Sequence, residues 1–319
     1  MRQTPHILVV NGTKVRRPVF LLGAPHSGTD LVARALRHSP GVHVTRGRAA
    51  VTKLVYAFAR RPSIATERGR GAARVLRDAY AESWQLARHG CRDCPAECWE
   101  LSGYTAADRR PDGPCADPAE PRRFADASPD LLYSADVLLD AFPDAQLVQV
   151  IRDGRDAVAG MLGDERVMAW FKPGILDLTE VFPHPFLGVD EPAWRRRWPE
   201  ASPAIKCALR WRGAVRLSAT LRAQVPEEQL LTLRYEDLVA DPLAGADRLA
   251  EYLGERVSGD ALAFAAGPLG AGSRPLPALP GEEEDRGRPR LTARQTAQVE
   301  KVAGRELRTL GYLPNPATD

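Results

Sequence analysis

The feature that most constrains this chain is a short buried-strand run that empties into a glycine loop and then a helix. Val19-Phe20-Leu21-Leu22 leads into Gly23-Ala24-Pro25-His26-Ser27-Gly28-Thr29, after which Leu31, Ala35 and Leu36 recur at helical spacing. The same order returns at Leu147–Ile151, followed by Arg152-Asp153-Gly154-Arg155-Asp156 and a helical run through Met161. It returns once more at Leu230–Leu233, before Arg234-Tyr235-Glu236-Asp237; Leu249, Tyr252 and Leu253 then mark a helix ending at Gly254. Strands alternating with helices predict an α/β fold, a doubly wound and mainly parallel sheet flanked by helices. At 319 residues, with no internal repeat or linker, the expectation is one domain over 1–319.

Local signals fill in the rest. Asn11-Gly12 is a hairpin turn, so the N-terminus is expected to form an edge strand feeding the buried one. Thr292-x-x-Gln295 is a capping box, with Val299, Val302, Leu307 and Leu310 behind it. Gly267–Arg290 is rich in Gly and Pro and reads as a long loop. A second loop, a lid at about 183–203, carries Pro, Trp and Arg without a period. No apolar stretch approaches eighteen residues, which excludes a membrane span, and Met1–Gly12 has no cleavage site, so the expected compartment is the cytoplasm. The net charge is only +3, so no overall excess draws the chain to nucleic acid or a membrane. Of 44 basic residues only five are lysine, and the arginines that matter are those placed to meet an anion.

Gly23 and Gly28 have the spacing of a phosphate-cradling loop, in which backbone N–H groups and a helix N-terminus face an anion. The positions where a P-loop kinase carries Lys and a magnesium-binding hydroxyl are Thr29 and Asp30 here. That disfavours magnesium-ATP chemistry, which relies on both.

An anion loop without kinase parts resembles the 5′-phosphosulfate loop of sulfotransferases that use 3′-phosphoadenosine 5′-phosphosulfate (PAPS), over Phe20-Leu-Leu-Gly-Ala-Pro-His-Ser-Gly-Thr29. Val150-Ile-Arg-Asp-Gly-Arg-Asp-Ala-Val158 resembles their 3′-phosphate motif. Leu233-Arg-Tyr-Glu-Asp-Leu-Val-Ala-Asp-Pro242 and Leu310-Gly-Tyr312 are similar to bacterial members, and all four matches fall in family order between residues 18 and 312. The resemblance implies a P-loop NTPase-like sulfotransferase fold and transfer of a sulfuryl group from PAPS, leaving PAP, to a hydroxyl of a small-molecule or carbohydrate acceptor. It implies nucleotide contacts at Pro25, His26, Ser27, Gly28, Thr29, Asp30, Arg152, Tyr235, Arg286 and Arg288. The bland alternatives stay open. Arg152 could be a surface arginine paired with Asp153 or Asp156, Tyr235 an ordinary strand end, and Arg286 and Arg288 a solvated run answering Glu282-Glu-Glu-Asp285.

The departures from the pattern are specific. His26 stands where relatives carry Lys or Arg, Asp30 where they carry a hydroxyl, Gly160 where a Ser shares the 3′-phosphate, and Ala127 where a Lys follows the carboxylate. His26 is expected to act as a pH-dependent acid or electrophile, its pKa raised by an adjacent phosphosulfate. Asp126 is the first candidate for general base, or else a cap before Pro129; His43 and His184 are the others. These departures keep two other functions in view, a catalytically degenerate nucleotide-binding protein on this fold and a P-loop kinase.

Cys91-x-x-Cys94-x-x-x-Cys98 and Cys115 fall in an insertion at about 90–117. They could close a structural zinc site, remain thiols or form a redox disulfide. Trp170-Phe-Lys172 and the lid supply aromatics for an acceptor pocket; nothing in the sequence names the acceptor or the oligomeric state.

Overall fold

Asn11 and Gly12 turn the chain as expected. Both have positive φ, 52° and 78°, and they join strand β1 (Val9–Val10) to its antiparallel partner β2 (Thr13–Lys14). The expected edge strand is corrected, however: this ribbon is separate from the main sheet. Its anchor is the Asn11 side chain, which donates to the Trp84 carbonyl at 3.0 Å and accepts from the Leu86 amide at 3.0 Å. The computed structural model describes residues 7–60, 70–87, 91, 94–101, 113–171, 186–189, 191–266 and 290–315.

The main sheet comprises β3 (Val19–Gly23), β4 (Val42–Thr45), β5 (Arg123–Asp126), β6 (Gln146–Ile151) and β7 (Leu230–Arg234). Their order is β4-β5-β3-β6-β7, and every neighbouring pair is parallel. From β3 the chain runs first to one side, through β4 and β5, and later to the other, through β6 and β7. The strand order therefore reverses between β3 and β6, where open α/β sheets bind ligands beyond the C-terminal strand ends. Gly23 pairs with Val150 in that register, so the two loops that follow emerge side by side.

Both faces of the sheet are covered. Phe20 and Leu22 join Tyr80, Trp84 and Phe142 in one apolar cluster, while Val19 and Leu21 join Leu31, Val44 and Leu249 in the other. That is why the strand reads as an unbroken apolar run rather than an alternation. The Thr29–Arg37 and Pro242–Leu253 helices lie on the second face, and Gly254 ends the latter at φ 70°. The capping box closes as expected: Thr292 accepts from the Gln295 amide and Gln295 returns a bond to the Thr292 amide, opening the Ala293–Thr309 helix.

Part of the expected lid is regular structure. Pro192–Arg197 is helical, Trp198 is buried, and Pro203 opens a 22-residue helix to Gln224, with Ser202 as its N-cap. Residues 183–185 and 190, like the Gly267–Pro289 part of the other expected loop, lie outside the described residues. Among the described residues no helix is long and apolar enough to cross a membrane.

Candidate functional site

The glycine loop is built so that its backbone is exposed to an incoming anion. A Cβ on Gly23 would stand 2.2 Å from Ser27 Oγ and 2.9 Å from the Val150 carbonyl; one on Gly28 would stand 2.3 Å from the Tyr235 ring. No side chain fits at either place. His26 and Gly28 lie at φ 61° and 96°, on either side of Ser27, whose amide donates back to the Ala24 carbonyl at 3.1 Å and closes the loop. Gly28 then caps the Thr29–Arg37 helix with no side-chain bond; the Leu31 amide donates to the Gly28 carbonyl at 3.2 Å, which leaves the Thr29 and Asp30 N–H groups for a ligand. Ser27 is 1% exposed, and its Oγ has no hydrogen-bond partner among the described residues. A buried hydroxyl without a partner costs about 1–3 kcal/mol, so an anion that accepts from it would be favoured.

Arg152 leaves the end of β6 beside this loop. Its Nη1 donates to the His26 carbonyl at 3.2 Å, its guanidinium lies 4.0 Å from the Tyr235 ring centroid, and its Nε has no partner among the described residues. It is not paired with Asp153, whose carboxylate caps the Gly154–Gly163 helix and holds Arg155 at 2.7 Å. A small cavity beside it is lined by Ala24, Ser27, Ile151, Trp211 and Ser218. Orphaned donors and a backbone cradle on two adjacent strand ends fit a phosphate-bearing nucleotide.

The remaining motifs brace this arrangement. Glu236 accepts from the Asp153 amide at 2.8 Å and from the Tyr312 hydroxyl at 2.9 Å. Arg155 donates to the Tyr312 carbonyl, and Arg234 to the Leu310 carbonyl, at 2.9 and 2.7 Å. Tyr312 can reach back because Gly311 turns at φ 77°. Three motifs distant in sequence thus hold one corner rigid.

A sulfotransferase family model matches residues 18–171 and 185–259. The chain belongs to this sulfotransferase family. A sulfotransferase from Alicyclobacillus acidocaldarius is 16% identical, covering 93% of this chain and 95% of its own, at a TM-score of 0.45. One from Mycobacterium avium is 16% identical, covering 92% and 76%, at a TM-score of 0.43. Membership rests on the family match rather than on these pairwise likenesses. No curated protein sequence matches the chain. The fold is accordingly the P-loop-like sulfotransferase fold, and family and fold support sulfuryl transfer in general.

In this chain the odd loop residues have partners the sequence did not reveal. Asp30 Oδ1 lies 2.6 Å from Nη1 of Arg46, in the loop after β4. That pairing offsets a carboxylate which would otherwise repel an anion. The His26 ring pairs with Asp164, Nε2 to Oδ2, at 3.0 Å. The protein's own groups move the His26 pKa down rather than up. Burial dominates and Arg152 adds to it, against opposition from Asp164 and Asp30. A raised pKa therefore requires the charge of a ligand.

The structure does not bring Asp126 to the loop. It pairs in register with Phe20, three residues before Gly23, which is roughly 10 Å below the loop. It is 0% exposed and accepts from Thr45 Oγ1 at 2.6 Å, the Ser128 amide at 2.9 Å and the Tyr80 hydroxyl at 3.4 Å. Burial raises its pKa to about 6. These bonds make it the hub of a turn, closer to the capping alternative than to a base. His43 is equally enclosed on β4, its pKa pushed down to about 3 by burial and by Arg37. His184, Arg286 and Arg288 lie outside the described residues.

The four cysteines do meet: Cys91 contacts Cys94 and Cys115, and Cys94 contacts Cys98. They form no disulfide. Among the described residues no group of three or more His, Cys, Asp or Glu is placed to hold a metal ion. The zinc expected on Cys91, Cys94, Cys98 and Cys115 is not supported. Protein groups meet them instead, Arg48 donating to Cys94 Sγ at 2.9 Å and Arg37 to the Cys115 carbonyl at 2.9 Å.

Beyond the end of β5, Asp130 and Arg210 form a buried ion pair at 2.8 Å. Tyr56 donates to Asp130 at 3.1 Å, and the Arg210 guanidinium lies 4.4 Å from the Phe186 ring centroid. Trp170 packs on both Tyr56 and Phe186, at 5.1 Å between ring centroids in each case. Of the aromatics read as acceptor-pocket material, Trp170 and Phe186 sit in this cluster; Lys172 lies outside the described residues.

Proposed function

We propose that this sulfotransferase moves the sulfuryl group of PAPS to a hydroxyl of a small molecule or glycan. The observation that carries the reading is the pair of orphaned donors, Ser27 Oγ and Arg152 Nε, beside a loop whose glycines admit no side chain. Amides from Gly28 to Asp30 and the Ser27 hydroxyl would hold a 5′-phosphosulfate, with Arg152 on the 3′-phosphate and Tyr235 in the wall beside it. When bound, PAPS supplies the activated sulfuryl group and a phosphate leaving group. The chain's own contribution is to fix the donor in line and offset charge on the departing phosphate. A kinase is disfavoured because Asp30 occupies the hydroxyl position and is engaged by Arg46.

Binding without turnover is the second reading, favoured by one observation: Asp126 is 0% exposed and its carboxylate is taken up by Thr45, Ser128 and Tyr80. Two measurements separate these. Calorimetry with PAP should give micromolar binding or tighter, and labelled sulfate should pass from PAPS to a compound in cell extract. PAP binding with no transfer to any acceptor would leave the second reading; magnesium-dependent ATP turnover would overturn both.

A further inference from the structure

The His26 imidazole lies across the backbone of Gly160 in the Gly154–Gly163 helix. A Cβ on Gly160 would stand 2.7 Å from Nδ1 and 2.8 Å from Cγ, closer than real atoms approach. On its other side the ring is held by Asp164, 3.0 Å from Nε2, and Asp164 is itself fixed by accepting from the Arg166 amide at 2.8 Å. The His26 backbone is left-handed at φ 61° and its carbonyl receives Arg152. A non-glycine residue stays in that conformation only where its surroundings hold it. A histidine in place of a fixed cation and a glycine in place of a hydroxyl are thus one arrangement. Nδ1 occupies the space into which a side chain at 160 would project.

We propose that His26, positioned by Asp164 over Gly160, is the second contact to the nucleotide 3′-phosphate beside Arg152, and that it takes up a proton as that phosphate binds. This rests on the PAPS reading above. The charges facing the ring are Asp164 and Asp30, which favour the imidazolium, and Arg152, which opposes it. Arg166 lies 3.5 Å from Asp164, and Arg46 takes up much of the Asp30 charge at 2.6 Å. With burial added, the ring is mostly neutral at pH 7 until a phosphate supplies further negative charge. Asp164 is a positioning residue; Gly160 provides the seat.

The test is calorimetry with adenosine 3′,5′-bisphosphate and with 5′-AMP, which lacks the 3′-phosphate, in buffers of different ionisation enthalpy. At pH 7 the wild-type protein is expected to take up roughly half a proton or more with the bisphosphate and close to none with 5′-AMP. Its affinity for the bisphosphate should weaken about tenfold more than that for 5′-AMP between pH 6 and pH 8, the scale of one charge-assisted bond. His26→Gln controls for the phosphate's own titration and should lose the uptake. Gly160→Ala strengthens the helix, so the fold survives, yet it displaces the ring and should lose the uptake too. Asp164→Asn should reduce it. Equal proton uptake by wild type and His26→Gln, or by the bisphosphate and 5′-AMP, overturns the proposal and leaves the PAPS reading standing. A folded wild-type protein that binds neither nucleotide overturns both.

Discussion

The Tyr312 hydroxyl donates to Glu236 Oε2 at 2.9 Å while Oε1 of the same carboxylate accepts the Asp153 amide at 2.8 Å. One side chain after β7 thus joins the C-terminal Leu310-Gly311-Tyr312 to the residue following Arg152. Tyr312→Phe removes one bond and leaves Glu236 its other, so it should cost about 1 kcal/mol in urea unfolding. Glu236→Ala strands two donors and should cost about twice that or more. It should also weaken PAP binding more than Tyr312→Phe does, because it frees the segment that carries Arg152.

Gly28→Ala should leave the protein folded and abolish nucleotide binding. The new methyl would meet the Tyr235 ring at 2.3 Å, in a backbone held at φ 96°, and relief would require the cradle to open. PAP affinity falling by less than about tenfold would mean that the loop amides are not the anion site.

Arg152→Gln tests the other half. Its Nε has no partner among the described residues, and no Asp or Glu there pairs with it, so little stability should be lost. PAP affinity should fall about ten- to a hundredfold, the value of one charge-assisted phosphate bond, while 5′-AMP affinity changes less.

The strands that anchor the site were legible because β3, β6 and β7 are apolar runs followed by a glycine loop or a charged motif. The β4 and β5 strands were not. Val42-His43-Val44-Thr45 and Arg123-Phe124-Ala125-Asp126 bury polar side chains whose partners come mostly from elsewhere in the chain: Thr45 meets Asp126, but Arg123 donates to the Arg17 and Leu253 carbonyls and to Gln146. The Pro203–Gln224 helix was hidden for a similar reason. It is buried continuously from Cys207 to Val215, Arg210 and Arg212 included, so it has no polar face to set a period. Asp164, Arg46 and Asp130 are ordinary surface residues on paper, and only the fold brings them to His26, Asp30 and Arg210. The cysteine spacing was legible as a cluster but not as a ligand shell, since spacing does not determine where four sulfurs point.

Two buried titratable groups should tilt stability in opposite directions. The unfolded chain binds a proton at His43 near pH 6.5, but the folded protein does so only near pH 3, so this group loses stability as pH falls through that range. Asp126 is reversed: folded it protonates at about 6, unfolded at 3.8, so stability is gained as pH falls between them. Each contributes a slope of about 1.4 kcal/mol per pH unit inside its window, and together they nearly cancel. His43→Gln should therefore gain stability from pH 6 to pH 4.5 relative to wild type, and Asp126→Asn should lose it. Urea midpoints at the two pH values decide it; parallel shifts in both variants would show that neither group titrates as its burial implies.

Asp130→Asn isolates the charge in the Arg210 pair. Asp130 sits at φ 62°, a conformation asparagine tolerates, so backbone strain does not change. What changes is that a guanidinium 1% exposed loses its counter-charge. Stranding a buried ion costs about 3–5 kcal/mol, enough to unfold a marginal protein at moderate urea. If the loss is electrostatic, adding Arg210→Met to Asp130→Asn should recover most of it, because an apolar side chain of similar length fills the space beside Phe186 without a charge to satisfy. If the double variant is no more stable than the single one, the hydrogen bond from Tyr56 to Asp130 and the packing around it, rather than the ion pair itself, hold that end of the sheet.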